Sequence, residues 1–190
     1  DCPNVSLCLV VDGTEENSRG VNYQRAIKQF PETPIGDEYL GRSMLYSSGT
    51  TGKPKCIVHS VGGTLLQHLK ELALHSDIKA SSTLFYYSTC GWMMWNWLVS
   101  GLALGATVVL FDGSPFHPEK SVLFDMADEE GVSCFGASAK YYAACEKFGL
   151  NPKRTHSLTS VDTFLSTGSP LSHESFDYLY QSVKEDVCVS

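Results

Sequence analysis

Residues 47–55 read SSGTTGKPK, with two glycines, four hydroxyl side chains, two lysines and a proline in nine positions. Backbone N–H groups in a Gly/Ser/Thr loop can converge on anionic oxygens. Hydroxyls add donors, and lysine adds a point charge. The chemistry that suits Ser47, Ser48, Gly49, Thr50, Thr51, Gly52, Lys53 and Lys55 is phosphate binding. The pattern GxxxxGK[ST] of P-loop enzymes is not met. Gly49 and Gly52 are three apart, and Pro54, which has no N–H to donate, stands where Ser or Thr is required. The plain alternative is a flexible surface turn with solubilising lysines.

Three other stretches carry groups of interest. STGSPLS (166–172) follows a predicted strand and opens a predicted helix. Such a turn offers backbone N–H and C=O groups to a ligand, or is a helix N-cap turn with Ser172 as the cap. GWMMWNW (91–97) holds three Trp and two Met. That spacing suits a core helix or the wall of a pocket. In FGASAKYY (135–142), Lys140 replaces the second glycine of a GxSxG nucleophile elbow; Lys140 faces either ligand or solvent. SDIK (76–79) lacks any companion motif. His59, His68 and His75 read as structural or surface residues.

Strands and helices alternate around these stretches. Strands are expected at 6–11, 42–48, 55–60, 83–88, 106–113, 132–137 and 160–168, with another opening at 186–190. Helices are expected at 22–30, 62–75, 92–105, 121–131, 139–149 and 172–185, with 31–41 as a polar connection. Leu65, Leu66, Leu69, Leu72 and Ala73 mark the apolar face of the helix over 62–75. The alternation makes an α/β fold. The phosphate-type loop then joins two short strands, with Gly49 and Gly52 at its bends.

The 190 residues carry a net charge of −7 and only 18% charged side chains. No basic stripe exists to neutralise a nucleic-acid backbone, which argues against that partner. The seven cysteines are odd in number and form no CxxC pair; reduced, buried thiols in a cytoplasmic protein are expected, and no metal site. Residues 80–111 contain no Asp, Glu, Lys or Arg. Asn96, Gly105 and the β-branched run ATVVLF make this a buried helix, a turn and a strand rather than a membrane span. The start at Asp1 and the end at DVCVS read as a piece cut from a larger protein.

YSSGTTGKPK (46–55) resembles the phosphate-binding signature of the adenylate-forming acyl ligases, which include acyl-CoA synthetases, luciferases and peptide-synthetase adenylation domains. CIVHSVGGTLLQHLKE (56–71), CGWMMWNWLVSGLALGATVVLFDGSP (90–115) and THSLTSVDTFLSTGSPL (155–171) are similar to the acetoacetyl-CoA synthetases. Cys56, where most of the superfamily has glycine, points the same way. PIGDEYLGRSMLYSSGTTG (34–52) reads more like bacterial fatty-acyl ligases.

The resemblance implies mixed sheets flanked by helices, within the large N-terminal domain of an adenylate-forming enzyme. Residues 1–190 would form a partial adenylation domain without the C-terminal lid, inactive alone. It implies ATP, Mg²⁺ and CoA as cosubstrates and a short carboxylic acid, acetoacetate first, as substrate. Lys55 takes the fixed basic position of the phosphate loop. Gly168, Ser169 and Pro170 lie against the adenine, and Trp92, Met93, Met94 and Thr167 line the acyl end. Two alternatives stand beside this reading: a ligase for another acid (acetate, another short-chain or a fatty acid), and a noncatalytic nucleotide-binding module.

Overall fold

The computed structural model describes residues 60–190 and the backbone of two strands, β1 (Val5–Val10) and β2 (Gly20–Asn22). The phosphate-type loop and the elements expected over 22–60 lie outside the described residues, apart from Asn22 at the end of β2 and Ser60.

Helix α1 (Val61–Lys70) is capped by Ser60, whose hydroxyl accepts from Gly63 N, and continues through a wider turn at Glu71–His75. Strand β3 (Thr83–Tyr86) follows, then α2 (Met93–Ser100), a tighter turn (Gly101–Leu104), and β4 (Thr107–Phe111). Gly105 ends that turn at φ +78°, where a Cβ would also sit 3.2 Å from the Ala80 Cβ. Next come α3 (Val122–Glu129), β5 (Cys134–Ser138), α4 (Ala139–Lys147) and the short α5 (Pro152–Thr155). The chain finishes with β6 (Thr163–Thr167), α6 (His173–Tyr178), its extension Leu179–Val183, and β7 (Cys188–Val189).

The strands make one seven-stranded mixed sheet in the order β2-β1-β4-β3-β5-β6-β7. All neighbours are parallel except β1 and β4. Parallel strands need both faces covered, and alternation along each strand divides the side chains accordingly. Phe85, Val109, Phe135 and Phe164 point to one face, packed with α3, α4 and α6. Leu84, Tyr86, Val108, Cys134 and Leu165 point to the other, which shares a cluster with Met94, Trp97 and Leu98 of α2 and Leu72 after α1.

The first face is aromatic. Phe124 stacks on Phe135 with centroids 5.8 Å apart, and Phe85 and Phe164 meet Phe135 at 5.2 and 5.5 Å. The turn at Leu158 (φ 43°) is held at that face by Asp128, which accepts from Ser157 N at 2.8 Å and from Leu158 N. Lys184 Nζ donates to the Leu158 and Val161 carbonyls from the other side.

Several expectations need correction. Strand β2 and helix α5 were not expected. On α1, Leu65 and Leu66 are exposed whereas His68 is buried. The helix turns its polar imidazole inward because a partner waits there: His68 Nδ1 lies 3.0 Å from Ser100 Oγ. Ser100 spends its own proton on the Asn96 carbonyl at 2.7 Å, so it accepts from His68. Burial holds the imidazole pKa below its ordinary value. Cys134 and Cys145 are buried free thiols pushed up to about 12 by desolvation, but Cys90 and Cys188 are exposed. Among the described residues no helix is long and apolar enough to cross a membrane.

Candidate functional site

In an open parallel sheet, ligands bind beyond the carboxyl ends of the strands, where neighbouring strands send their connections in opposite directions. That point falls between β3 and β5. Strand β3 connects through α2 to β4 on one side, whereas β5 connects through α4 and α5 to β6 on the other. The register sets Tyr86 opposite Gly136 and Ser138 opposite Thr167, so β5 and β6 end level and β3 stops two residues short of them.

Tyr86 joins these three ends. Its hydroxyl is within hydrogen-bond distance of two oxygens, Thr167 Oγ1 at 2.8 Å and the Ala137 carbonyl at 3.2 Å, and its one proton can go to either. Its ring meets Trp97 of α2 edge-on, with centroids 6.2 Å apart. The ring also lies flat over Gly136. A Cβ built there would stand 2.0 Å from Tyr86 Cδ2, so no other residue fits at 136 with Tyr86 in place. Tyr86 is 4% exposed, and desolvation raises its phenol pKa, keeping it protonated and able to donate.

The expected site residues sort themselves around this centre. Thr167 ends β6 and is half-buried; Gly168, Ser169 and Pro170 follow it and are exposed. Gly168 adopts φ +92°, a backbone state that favours glycine, and a Cβ there would meet no described atom within 4 Å. Ser172 caps α6 by accepting from Ser175 N at 3.2 Å. The three residues at the start of α2 divide. Met94 is 5% exposed and packs in the cluster with Tyr86, Trp97 and Leu165, so it is core. Trp92 and Met93 are 52% and 43% exposed, so neither is core among the described residues. Lys140 is exposed on α4, and Ser138 caps that helix by accepting from Tyr141 N at 3.3 Å.

Sequence reading missed Tyr86. Its signal was modest: a buried-strand run, TLFYYS, ending in residues with both an apolar body and a polar tip. A hollow lies between α4 and α6. It is a cleft of about 400 Å³ lined by Glu146, Asn151, Glu174, Asp177, Tyr178 and Gln181 among others. Its three carboxylates would repel a triphosphate, which leaves the strand ends as the better nucleotide site. Among the described residues no group of three His, Cys, Asp or Glu could hold a metal ion.

The chain is 60% identical over 158 residues to the acetoacetyl-coenzyme A synthetase of Rhizobium meliloti, covering 83% of this chain and 24% of that protein. It is 47% identical over 158 residues to a malonamoyl-CoA synthetase of Penicillium aethiopicum, covering 76% and 22%. The structure of an acetoacetyl-CoA synthetase from Streptomyces lividans superposes with a TM-score of 0.73 at 38% identity, over 95% of this chain and 29% of that one. The chain thus spans about a quarter of the length of the curated relatives it matches. The sequence profile of the AMP-binding enzymes matches residues 2–189, nearly the whole chain, and with the strand-end site and these similarities it establishes that the chain belongs to the AMP-binding enzyme family.

Proposed function

We propose that this chain is part of the adenylation domain of an ATP-dependent acyl-CoA ligase acting on a short carboxylic acid, acetoacetate first. The observation that carries the reading is 60% identity over 158 residues to a relative named for that acid. The run YSSGTTGKPK and the β3/β5 switch point support it independently.

A free carboxylate is a poor acyl donor because its leaving group would be oxide. In the first step a carboxylate oxygen attacks the α-phosphorus of ATP. The bond to the β-phosphate oxygen breaks, and pyrophosphate leaves. In the second, the CoA thiolate attacks the acyl carbonyl, and AMP departs with the electron pair of the broken C–O bond. The protein's contribution is positioning and charge stabilisation. Residues 47–53 and Lys55 hold the β- and γ-phosphates. Gly168, Ser169 and Pro170 lie along the adenine, where an exposed turn leaves the backbone open to a flat ring. Thr167, Trp92 and Met93 border the acid, with Met94 packed behind them. Mg²⁺, accompanying ATP, would be carried by the triphosphate; the described residues offer no ligand set for it.

A different acid is the second reading, favoured by 47% identity to a synthetase named for malonamoyl-CoA. The test is ATP–pyrophosphate exchange by the complete protein with acetoacetate, malonamate, acetate, butyrate and a long-chain fatty acid. Exchange greatest with acetoacetate is expected. Exchange greatest with another acid would replace the substrate but keep the reaction class. ATP binding without acid-dependent exchange would make the chain a noncatalytic nucleotide module. In the same assay Lys55→Ala should lower kcat/KM by about 100-fold or more, as loss of a charge held on the reacting phosphates does. Unchanged kcat/KM would remove Lys55 from the mechanism.

A further inference from the structure

We propose that Tyr86 is the positioning residue for Thr167 and, through it, sets which acid the site accepts. The inference rests on the reading of Thr167 as a residue of the acid pocket. Neither the phosphate loop nor the adenine turn explains why a tyrosine is sealed between three strand ends.

The Tyr86 ring has little freedom. It lies over Gly136, with ring atoms 2.0, 2.4 and 2.8 Å from where a Cβ would stand, and against the edge of Trp97. A ring clamped in this way carries its hydroxyl to one point. Both partners there belong to other strands: the Ala137 carbonyl of β5 and Thr167 Oγ1 of β6. At 4% exposure, water cannot replace them. An unpartnered threonine hydroxyl would exchange among staggered rotamers. Paired with Tyr86, it is fixed at the end of β6, next to Gly168.

The proton count gives the pair its selectivity. Tyr86 has one proton and Thr167 has one. If Tyr86 donates to Ala137, Thr167 donates to Tyr86 and shows the pocket only lone pairs. If Tyr86 donates to Thr167, the threonine proton is free for an acceptor on the ligand. An acid with a second oxygen, such as a 3-oxo acid, can take that proton. An alkanoic acid of the same length cannot, and would leave the hydroxyl facing a methylene group. The surrounding apolar side chains, Met94, Trp97 and Leu165, offer no competing donor in their side chains except the indole N–H. A 3-oxo acid selects the second arrangement, in which Tyr86 gives its proton to the nearer oxygen, Thr167 Oγ1 at 2.8 Å rather than the Ala137 carbonyl at 3.2 Å, and Tyr86 in this way favours an oxygen-bearing short acid without touching it.

The experiment is acid-dependent pyrophosphate exchange by the complete protein, comparing acetoacetate with butyrate. The quantity read is the ratio of their kcat/KM values. Tyr86→Phe keeps the ring and removes the hydroxyl; it should lower the ratio about tenfold, the scale of one hydrogen bond, with KM for ATP changed less than about twofold. Thr167→Val should lower the ratio equally, Thr167→Ser should retain it, and the double variant Tyr86→Phe/Thr167→Val should lose no more than either alone. An unchanged ratio in Tyr86→Phe, or losses that multiply in the double variant, would overturn the proposal while leaving the ligase reading intact. Should Tyr86→Phe fail to fold, an unchanged ratio in Thr167→Val overturns it in the same way. A wild-type protein that exchanges with neither acid defeats this proposal, and exchange with none of the five acids named above defeats the ligase reading as well. A wild-type protein that exchanges equally with both defeats the proposal alone.

Discussion

Phe135 and Gly136 are neighbours in β5, yet they point to faces of the sheet built on opposite plans. Phe135 enters a face closed by rings: Phe85, Phe124, Phe164 and Tyr141 surround it, and α3, α4 and α6 cover it. Gly136 enters a face where space is left for a single polar ring, and Trp92 and Met93, at the start of the helix α2 that packs on this face, remain exposed. The first face holds charged contacts at its rim, those of Asp128 and Lys184 to the Leu158 turn, and the polar atoms among its rings are tyrosine hydroxyls such as that of Tyr142, which donates to the Leu165 carbonyl. The second brings polar groups inward, as His68–Ser100 and Tyr86–Thr167. Buried polar pairs contribute less to stability than close-packed rings but define direction and proton position. One face is therefore the support, and the other is where ligand chemistry can be directed.

Substitutions on the two faces should separate stability from selectivity. The largest loss of stability is expected from Phe135→Ala, at about 3–5 kcal/mol for deleting a fully buried ring. Chemical denaturation of the complete protein measures it. Below the unfolding transition, the acid ratio of that variant should stay within about twofold of wild type. Gly136→Ala comes next, at about 1–3 kcal/mol for overpacking against Tyr86, and here the acid ratio should also fall. A Gly136→Ala protein of normal stability and normal selectivity would show that the two faces do not differ in this way.

On the inward polar face His68 gives the comparison a dependence on acidity. Burial lowers the His68 pKa, so the folded state resists the proton. Above about pH 6.5, the ordinary imidazole value, both folded and unfolded His68 are neutral and nothing is lost. As pH falls through that value the unfolded chain takes up its proton first, and stability declines until the folded pKa is also passed. A His68→Asn variant should lack that part of the pH slope; an identical slope in both would count against the assignment. The smallest effect on stability is expected from Trp92→Ala, within about 0.5 kcal/mol because the side chain is half exposed. Its KM for the acid should nonetheless rise, and an unchanged KM would remove Trp92 from the pocket.

The alternation of strands and helices was readable because β4, β5 and β6 are short apolar runs with clear breaks, such as Gly105 and Gly149. The N-caps at Ser172 and the end of α4 at Gly149 also stood in the sequence as local signals. The face of α1 did not. Leucines at helical spacing fit more than one rotation, and the one adopted is set by Ser100, which lies 32 positions away. Helix α5 escaped notice because four residues, PKRT, carry no periodicity. Of the candidate site, Gly168 and Thr167 were named through the family resemblance, since the turn alone reads equally as a helix N-cap. Tyr86 was not legible, since its partners lie 51 and 81 positions further on. Long-range polar pairs leave no pattern within either strand, whereas turns and caps do.

The antiparallel seat of β1 against β4 also bears on the order in which the chain can assemble. Strands β3 to β7 are linked through intervening helices and find partners soon after they are made. Val5 must wait for Phe111, Leu7 for Leu110 and Leu9 for Val108. Pairings so distant along the chain are slow to close. As synthesis proceeds toward the C-terminus, β1 leaves the ribosome before β4 and has to be held without that partner until β4 follows.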